Sequence, residues 1–160
     1  MNNKLFVAAG LAFCSAFGFA QDFRRNWTET TYSQFPVNFS ETITRLSSYR
    51  TMKADIAGLK AQVAGTAMDF NGHMSGKPKS LAIPRADGST STFRVTEYNL
   101  LSADLQAKYP NYHFYYGVNE SNPVERVRFG FTDLGFHSTI YSPNGDEFID
   151  PVVMGDPNQY

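Results

Sequence analysis

The sequence predicts an α+β domain, an antiparallel sheet meander of about five to seven strands packed with one or two short helices. Three observations carry this expectation. Phe93 to Pro151 is a succession of short alternating runs separated by Asn, Pro, Gly and Asp. Ile56, Leu59 and Val63 recur at helical spacing behind Asp55, a suitable N-cap. Ser102 and Pro110 bracket a second short helical stretch, the first as cap and the second as stop.

Taken in order, Tyr49 to Met52 reads as a short strand. The helix opened by Asp55 runs to Val63 or Ala64, where Ala64-Gly65-Thr66-Ala67 weakens and ends it. Met68 to Lys79 reads as loop, with Gly72, Gly76 and Pro78 as breakers. Ser80–Pro84 and Thr92–Tyr98 form the arms of a hairpin around Ala86-Asp87-Gly88, with Leu81 and Ile83 beside Phe93 and Val95. Ala103 to Tyr109 makes about two helical turns, with Leu105 expected to face inward.

Three runs then each offer one apolar face at period two. These faces are Tyr112, Phe114 and Tyr116; then Val127, Phe129 and Phe131; then Leu134, Phe136 and Ile140. Asp133-Leu134-Gly135 joins the last two runs tightly. Pro143-Asn144-Gly145-Asp146 signals a turn, after which Glu147 to Asp150 pairs back. Beyond Pro151 the pattern is loop-like, with no closing element.

The first twenty of the 160 residues have the organisation of an export signal. Lys4 supplies the charge, Leu5 to Phe17 is an apolar run shorter than the ~20 residues a bilayer crossing needs, and Gly18-Phe19-Ala20 is a cleavage site. Cleavage is expected after Ala20, which places the protein outside the cell, in a periplasm or at the cell surface. Residues 21–47 read as a poorly ordered segment with Trp27, Phe35 and Phe39 as anchors. Residues 48–152 form the domain, and 153–160 begin a linker or continuation. Asn26, Asn38 and Asn119 each open an N-x-Ser/Thr sequon.

The chemistry expected is sparse. Cys14 is the one cysteine and lies in the signal, so the mature chain forms no disulfide and offers zinc no thiolate. With Lys4 gone, the balance is slightly acidic, which argues against nucleic acid or anionic lipid as partner. His73, His113 and His137 show no H-E-x-x-H spacing; His113 and His137 are expected on solvated strand faces, and His73 in a glycine-rich loop. Asp146, Glu147 and Asp150 are too few for a calcium loop and read as an acidic hairpin end. There is no G-x-S-x-G and no phosphate loop. Arg126 and Arg128 share a strand face that could meet an acidic partner. Exposed Tyr112, Tyr115 or Tyr141 would favour a binding surface. No catalytic, cofactor-binding or metal-binding residue, and no cofactor, is assigned.

An ordered series of short motifs adds a resemblance. It comprises Phe93-Arg94-Val95 with Glu97, Leu105 with Ala107-Lys108-Tyr109-Pro110, and Tyr115 with Gly117 and Pro123. Arg128-Phe129, Thr132, Gly135-Phe136-His137 and Phe148-Ile149-Asp150-Pro151 follow. Over roughly Tyr49 to Tyr160 the chain resembles the N-terminal pro-region of secreted bacterial reprolysin-type zinc metallopeptidases, the metzincins. In that family a catalytic domain with H-E-x-x-H-x-x-G-x-x-H comes after the pro-region. The resemblance implies a non-catalytic, propeptide-like chain whose partner is a peptidase domain downstream, with this chain as a fragment, a precursor's front part or a free-standing relative. It also implies masking by steric cover rather than by a cysteine on zinc. An exported binding or adhesion module using an aromatic sheet face is the alternative.

Overall fold

The computed structural model describes residues 26–31, 48–70, 72–153, 156 and 159–160. In chain order the elements are β1 (Trp27–Thr30), β2 (Thr51–Ala54), α1 (Ile56–Val63), β3 (Met68–Phe70), β4 (His73–Ser75) and β5 (Lys79–Pro84). Then come β6 (Thr90–Tyr98), α2 (Ala103–Lys108), β7 (His113–Asn119), β8 (Arg126–Thr132), β9 (Gly135–Tyr141) and β10 (Glu147–Ile149). The α+β class holds. The export signal, Cys14, Phe35, Asn38 and Phe39 lie outside the described residues.

β6 to β10 form the expected meander, each strand antiparallel to the next. The sheet as a whole is mixed rather than a simple meander. Met68–Phe70 and His73–Ser75, expected as loop, make a hairpin, and β3 runs parallel to β6. The breaker reading of Gly72 is right in kind, since its positive φ of 83° turns that hairpin. The eight-stranded order is β10-β9-β8-β7-β6-β3-β4, with β5 also on β6.

β6 thus changes partner along one edge. Its first part pairs with β5 up to Val95–Lys79, and its end pairs with β3 from Glu97–Met68. Between them the buried Thr66 hydroxyl donates to the Val95 carbonyl (2.9 Å) and accepts from the Lys79 amide (3.0 Å). The Glu97 amide donates to the Ala67 carbonyl at 2.8 Å.

One face of this sheet is the core. Leu81, Phe93, Val95, Tyr115, Val127, Phe129, Phe131, Phe136 and Ile140 are buried there, and α1 covers them through Leu59 and Val63. Asp55 caps α1 as expected, accepting from the Gly58 amide at 2.9 Å. The second cover is a ribbon of β1 and β2. It brings in Trp27, Met52 and Ala54, so the anchor role expected of Trp27 is met. Trp27 stands edge-on to Phe136 at 5.7 Å and to Tyr160 at 5.8 Å.

Three further expectations need correction. The strand expected at Tyr49–Met52 begins two residues later, where pairing with β1 starts at Thr51. Leu105 is exposed, and α2 buries nothing; its Ser102 cap (3.4 Å to the Leu105 amide) holds it instead. On β7 the inward residues are Tyr115, Gly117 and Asn119, not Tyr112, Phe114 and Tyr116.

The end of the chain also packs. The backbone of Tyr160 pairs with that of Met52, and its buried phenol accepts from the Phe136 amide at 2.9 Å. Gly135 makes room for this. Its φ is +116°, and a Cβ there would stand 2.8 Å from the Pro151 ring and 3.1 Å from the Tyr160 hydroxyl. A glycine is therefore required on both conformational and steric grounds.

Candidate functional site

The other face of the sheet is built by the same strands at the opposite parity. Cross-strand register sorts it into rows. Arg94, Val118, Arg126 and Tyr141 make the first row. Thr96, Tyr116, Arg128 and Thr139 make the second, extended by Phe148 on β10. The third runs from Asp69 on β3 through Tyr98, Phe114, Gly130 and His137, with Asp150 next to His137. Of these rows only Thr96 and Gly130 are buried.

Gly130 shapes the surface. It supplies no side chain, and the Phe114 ring lies over it, 2.8 Å from where a Cβ would stand. A shallow concavity of about 200 Å³ results, bounded by Tyr98, Phe114, Arg128, His137, Thr139 and Asp150. Tyr98 and Tyr116 meet edge to face at 5.8 Å, so the aromatic wall is held rigidly. The Tyr116 hydroxyl donates to Asp69 at 3.2 Å. Burial, then that carboxylate, pushes the phenol above its ordinary pKa, so it stays neutral and able to donate.

The residues singled out from the sequence are dispersed. His137 Nδ1 donates to Asp150 at 2.8 Å on this face. His113 instead contacts Glu97 at 2.7 Å, on the core-side parity of β7 but at its open end. It is therefore not on the face opposite the core, as expected. His73 is exposed in β4, a strand rather than a loop. Among the described residues, no group of three or more His, Cys, Asp or Glu is placed to hold a metal ion. Ser138 follows His137 but belongs to the core side, opposite Phe129.

The acidic hairpin end also separates. Asp150 serves His137, and Asp146 accepts from the Ser142 amide at 3.4 Å. Glu147 takes two bonds from Arg85, at 2.6 Å and 2.8 Å, and one from the Ala86 amide at 2.9 Å. Arg85 also reaches Glu125 at 2.9 Å, and Asn119 donates to the same Glu125 oxygen at 2.6 Å. Hydrogen bonding to Glu147 leads in raising the Arg85 pKa, against its desolvation. Burial pushes Glu125 up, but bonds from Arg85 and Asn119 outweigh it and hold the carboxyl below its ordinary value. This network ties the β5–β6 turn to β10. Arg85 and Glu147 of this network line a larger cleft of about 690 Å³ between the ribbon and the β10 hairpin, but their charges are spent on each other.

Of the tyrosines named as markers of a binding surface, Tyr141 is exposed, Tyr112 is half-buried with its hydroxyl on Asp133 at 3.1 Å, and Tyr115 is buried. Sequence reading did not single out Tyr98, Phe114 and Tyr116 together, or Arg94 with Arg126 and Arg128. These groups come together only through cross-strand register.

No protein-family model, curated protein or solved structure matches this chain.

Proposed function

We propose that the chain is a non-catalytic pro-region of a secreted zinc metallopeptidase, assisting the folding of the peptidase domain or masking its cleft by contact. The observation that supports this reading is the asymmetry of the sheet. One face is filled by α1 and the ribbon, while the other, among the described residues, carries exposed and half-buried aromatic, basic and polar side chains around a shallow concavity. Contact over such a face needs neither a cysteine nor a metal ligand from this chain. The motifs that carry the family resemblance are chiefly scaffold positions: Phe93, Val95, Phe129 and Phe136 are core, and Gly135 is a turn. Other motif residues, among them Arg94, Arg128, His137, Phe148 and Asp150, stand on the outer face.

The test is addition of the mature chain, residues 21–160, to a refolding catalytic domain of the reprolysin type encoded with it. A higher refolding yield or suppressed peptide cleavage supports the proposal. No change in either overturns it.

A second reading, an exported binding module, is favoured by one observation, the concavity beside Tyr98 and Phe114. Glycan and protein arrays probed with the mature chain separate the two. A ligand lost on Phe114→Ala, without any effect on the peptidase, selects the second reading.

A further inference from the structure

We infer that the outer face docks an acidic, extended polypeptide segment of its partner, gripped by Arg94, Arg126 and Arg128. This deepens the proposed contact function and takes the same open face as the working surface. The first two rows of that face contain three arginines and no carboxylate among the described residues. All three arginines are exposed. Arg126 donates to the carbonyls of Pro123 and Glu125, which orients the guanidinium without neutralising it. The carboxylates around these rows are engaged: Glu120 accepts at 2.6 Å from Ser80, which continues the first row beside Arg94, and Asp69 and Asp150, in the third row at opposite sides of the sheet, bond Tyr116 and His137.

This clustering runs against the overall charge, since the whole chain carries a formal −1. Like charges about 7 Å apart on one side of a strand repel, so the Arg126–Arg128 pair is an electrostatic cost in the free protein. An anionic partner removes that cost. Spacing narrows the class of partner. Arg126 and Arg128 are two residues apart on one strand, about 7 Å, and Arg94 lies two strands away, about 10 Å. An extended peptide with acids at alternate positions places carboxylates about 7 Å apart on one side, which matches the β8 pair. Guanidinium forks take carboxylates in bidentate fashion. Val118, Tyr141 and Phe148 lie in the same two rows and offer apolar contact to peptide side chains that flank the acids on the same side, at further alternate positions. A polyanionic sugar has no such apolar side chains to place there.

The probe is a fluorescein-labelled peptide with Glu at two alternate positions, Leu and Tyr at the alternate positions on either side of them and Ser in between, read by anisotropy against the mature chain. Arg94→Gln, Arg126→Gln and Arg128→Gln combined should weaken binding about tenfold or more, as should raising salt from about 0.05 M to about 0.5 M. Lys53→Gln, Lys77→Gln and Lys108→Gln combined remove the same charge from elsewhere and should leave binding within about twofold. Circular dichroism melts check that both triple variants fold. If the arginine variant does not fold, Arg128→Gln alone carries the test, with about a threefold loss expected.

The inference is overturned if a Gln-for-Glu peptide binds equally, if both triple variants lose binding alike, or if a polyuronate binds more tightly than the peptide. It is also overturned if the arginine variant still masks or refolds the peptidase like wild type. Failure of the unmutated chain to affect the peptidase defeats the proposed function instead, and the peptide arm still decides this inference.

Discussion

The two faces of the main sheet come from alternate residues of the same strands, yet they obey different rules. On the inner face the buried positions are set by what fits under α1 and Trp27, and Phe129, Phe131 and Phe136 pack ring against ring at 5.3–6.0 Å. On the outer face the arginines Arg94, Arg126 and Arg128 are exposed and packed under no element, so identity there is free to answer to a partner. The difference shows where to look for function in a fold whose core is conventional. The informative residues are the ones that stability does not explain.

The strongest test of this contrast is Phe136→Ala. The ring is fully buried and touches Trp27, Phe129, Phe131 and Tyr160. Removing it should destabilise the protein by about 3–5 kcal/mol in urea titrations. Arg128→Ala on the other face should shift the same midpoint by no more than about 0.5 kcal/mol. Comparable losses would dissolve the distinction between the faces.

A sharper version makes one identical change on each side. At Gly117 an added methyl meets the Arg94 carbonyl and the Val95 side chain at 2.9 Å, with Val127 at 3.0 Å. Those neighbours are locked in the core, so Gly117→Ala should cost about 1–3 kcal/mol. At Gly130 the methyl meets mainly the Phe114 ring, which has open space to swing into. Gly130→Ala should cost about 1 kcal/mol or less while filling the concavity. Equal melting temperatures for the two variants would show that the outer face is as tightly packed as the inner one.

The smallest effect concerns acid. Glu125 is held below its ordinary value of 4.5 when folded, so the unfolded chain takes up the proton first. Its contribution is complete above that ordinary value and declines as pH falls through the lowered one. Chemical denaturation series between about pH 7 and about pH 3 should therefore show an acid limb that is shallower in Glu125→Gln. An unchanged limb would show that the Arg85 network does not distinguish the folded from the unfolded carboxyl.

Much of this architecture was legible in the residues. β8 was readable because Val127, Phe129 and Phe131 alternate with Arg and Gly, leaving one choice of face, and β9 through Phe136 and Ile140, although Leu134, grouped with them, is exposed in the turn before the strand. β7 was not, because Phe114, Tyr115 and Tyr116 place aromatics at both parities. There the pairing of Tyr115 with Phe129 and of Gly117 with Val127 decided the face. The β3–β4 hairpin escaped notice since its three-residue strands, with Met68, Phe70 and Met74 exposed, bury no apolar side to betray them. Leu105 misled for the opposite reason. A helix of six residues held by its caps can leave a leucine in water. The arginine cluster was half visible, with Arg126 and Arg128 adjacent on one strand, but Arg94 joins them only through Val118 on the strand between.

Thr66 has a consequence of its own. Its single hydroxyl splices two lengths of edge, one bound to β5 and the other to β3, onto a common central strand. Fraying that begins at the exposed β3–β4 tip meets this splice before it reaches Lys79 and Leu81. The tip can therefore breathe while the hairpin that floors the core stays shut.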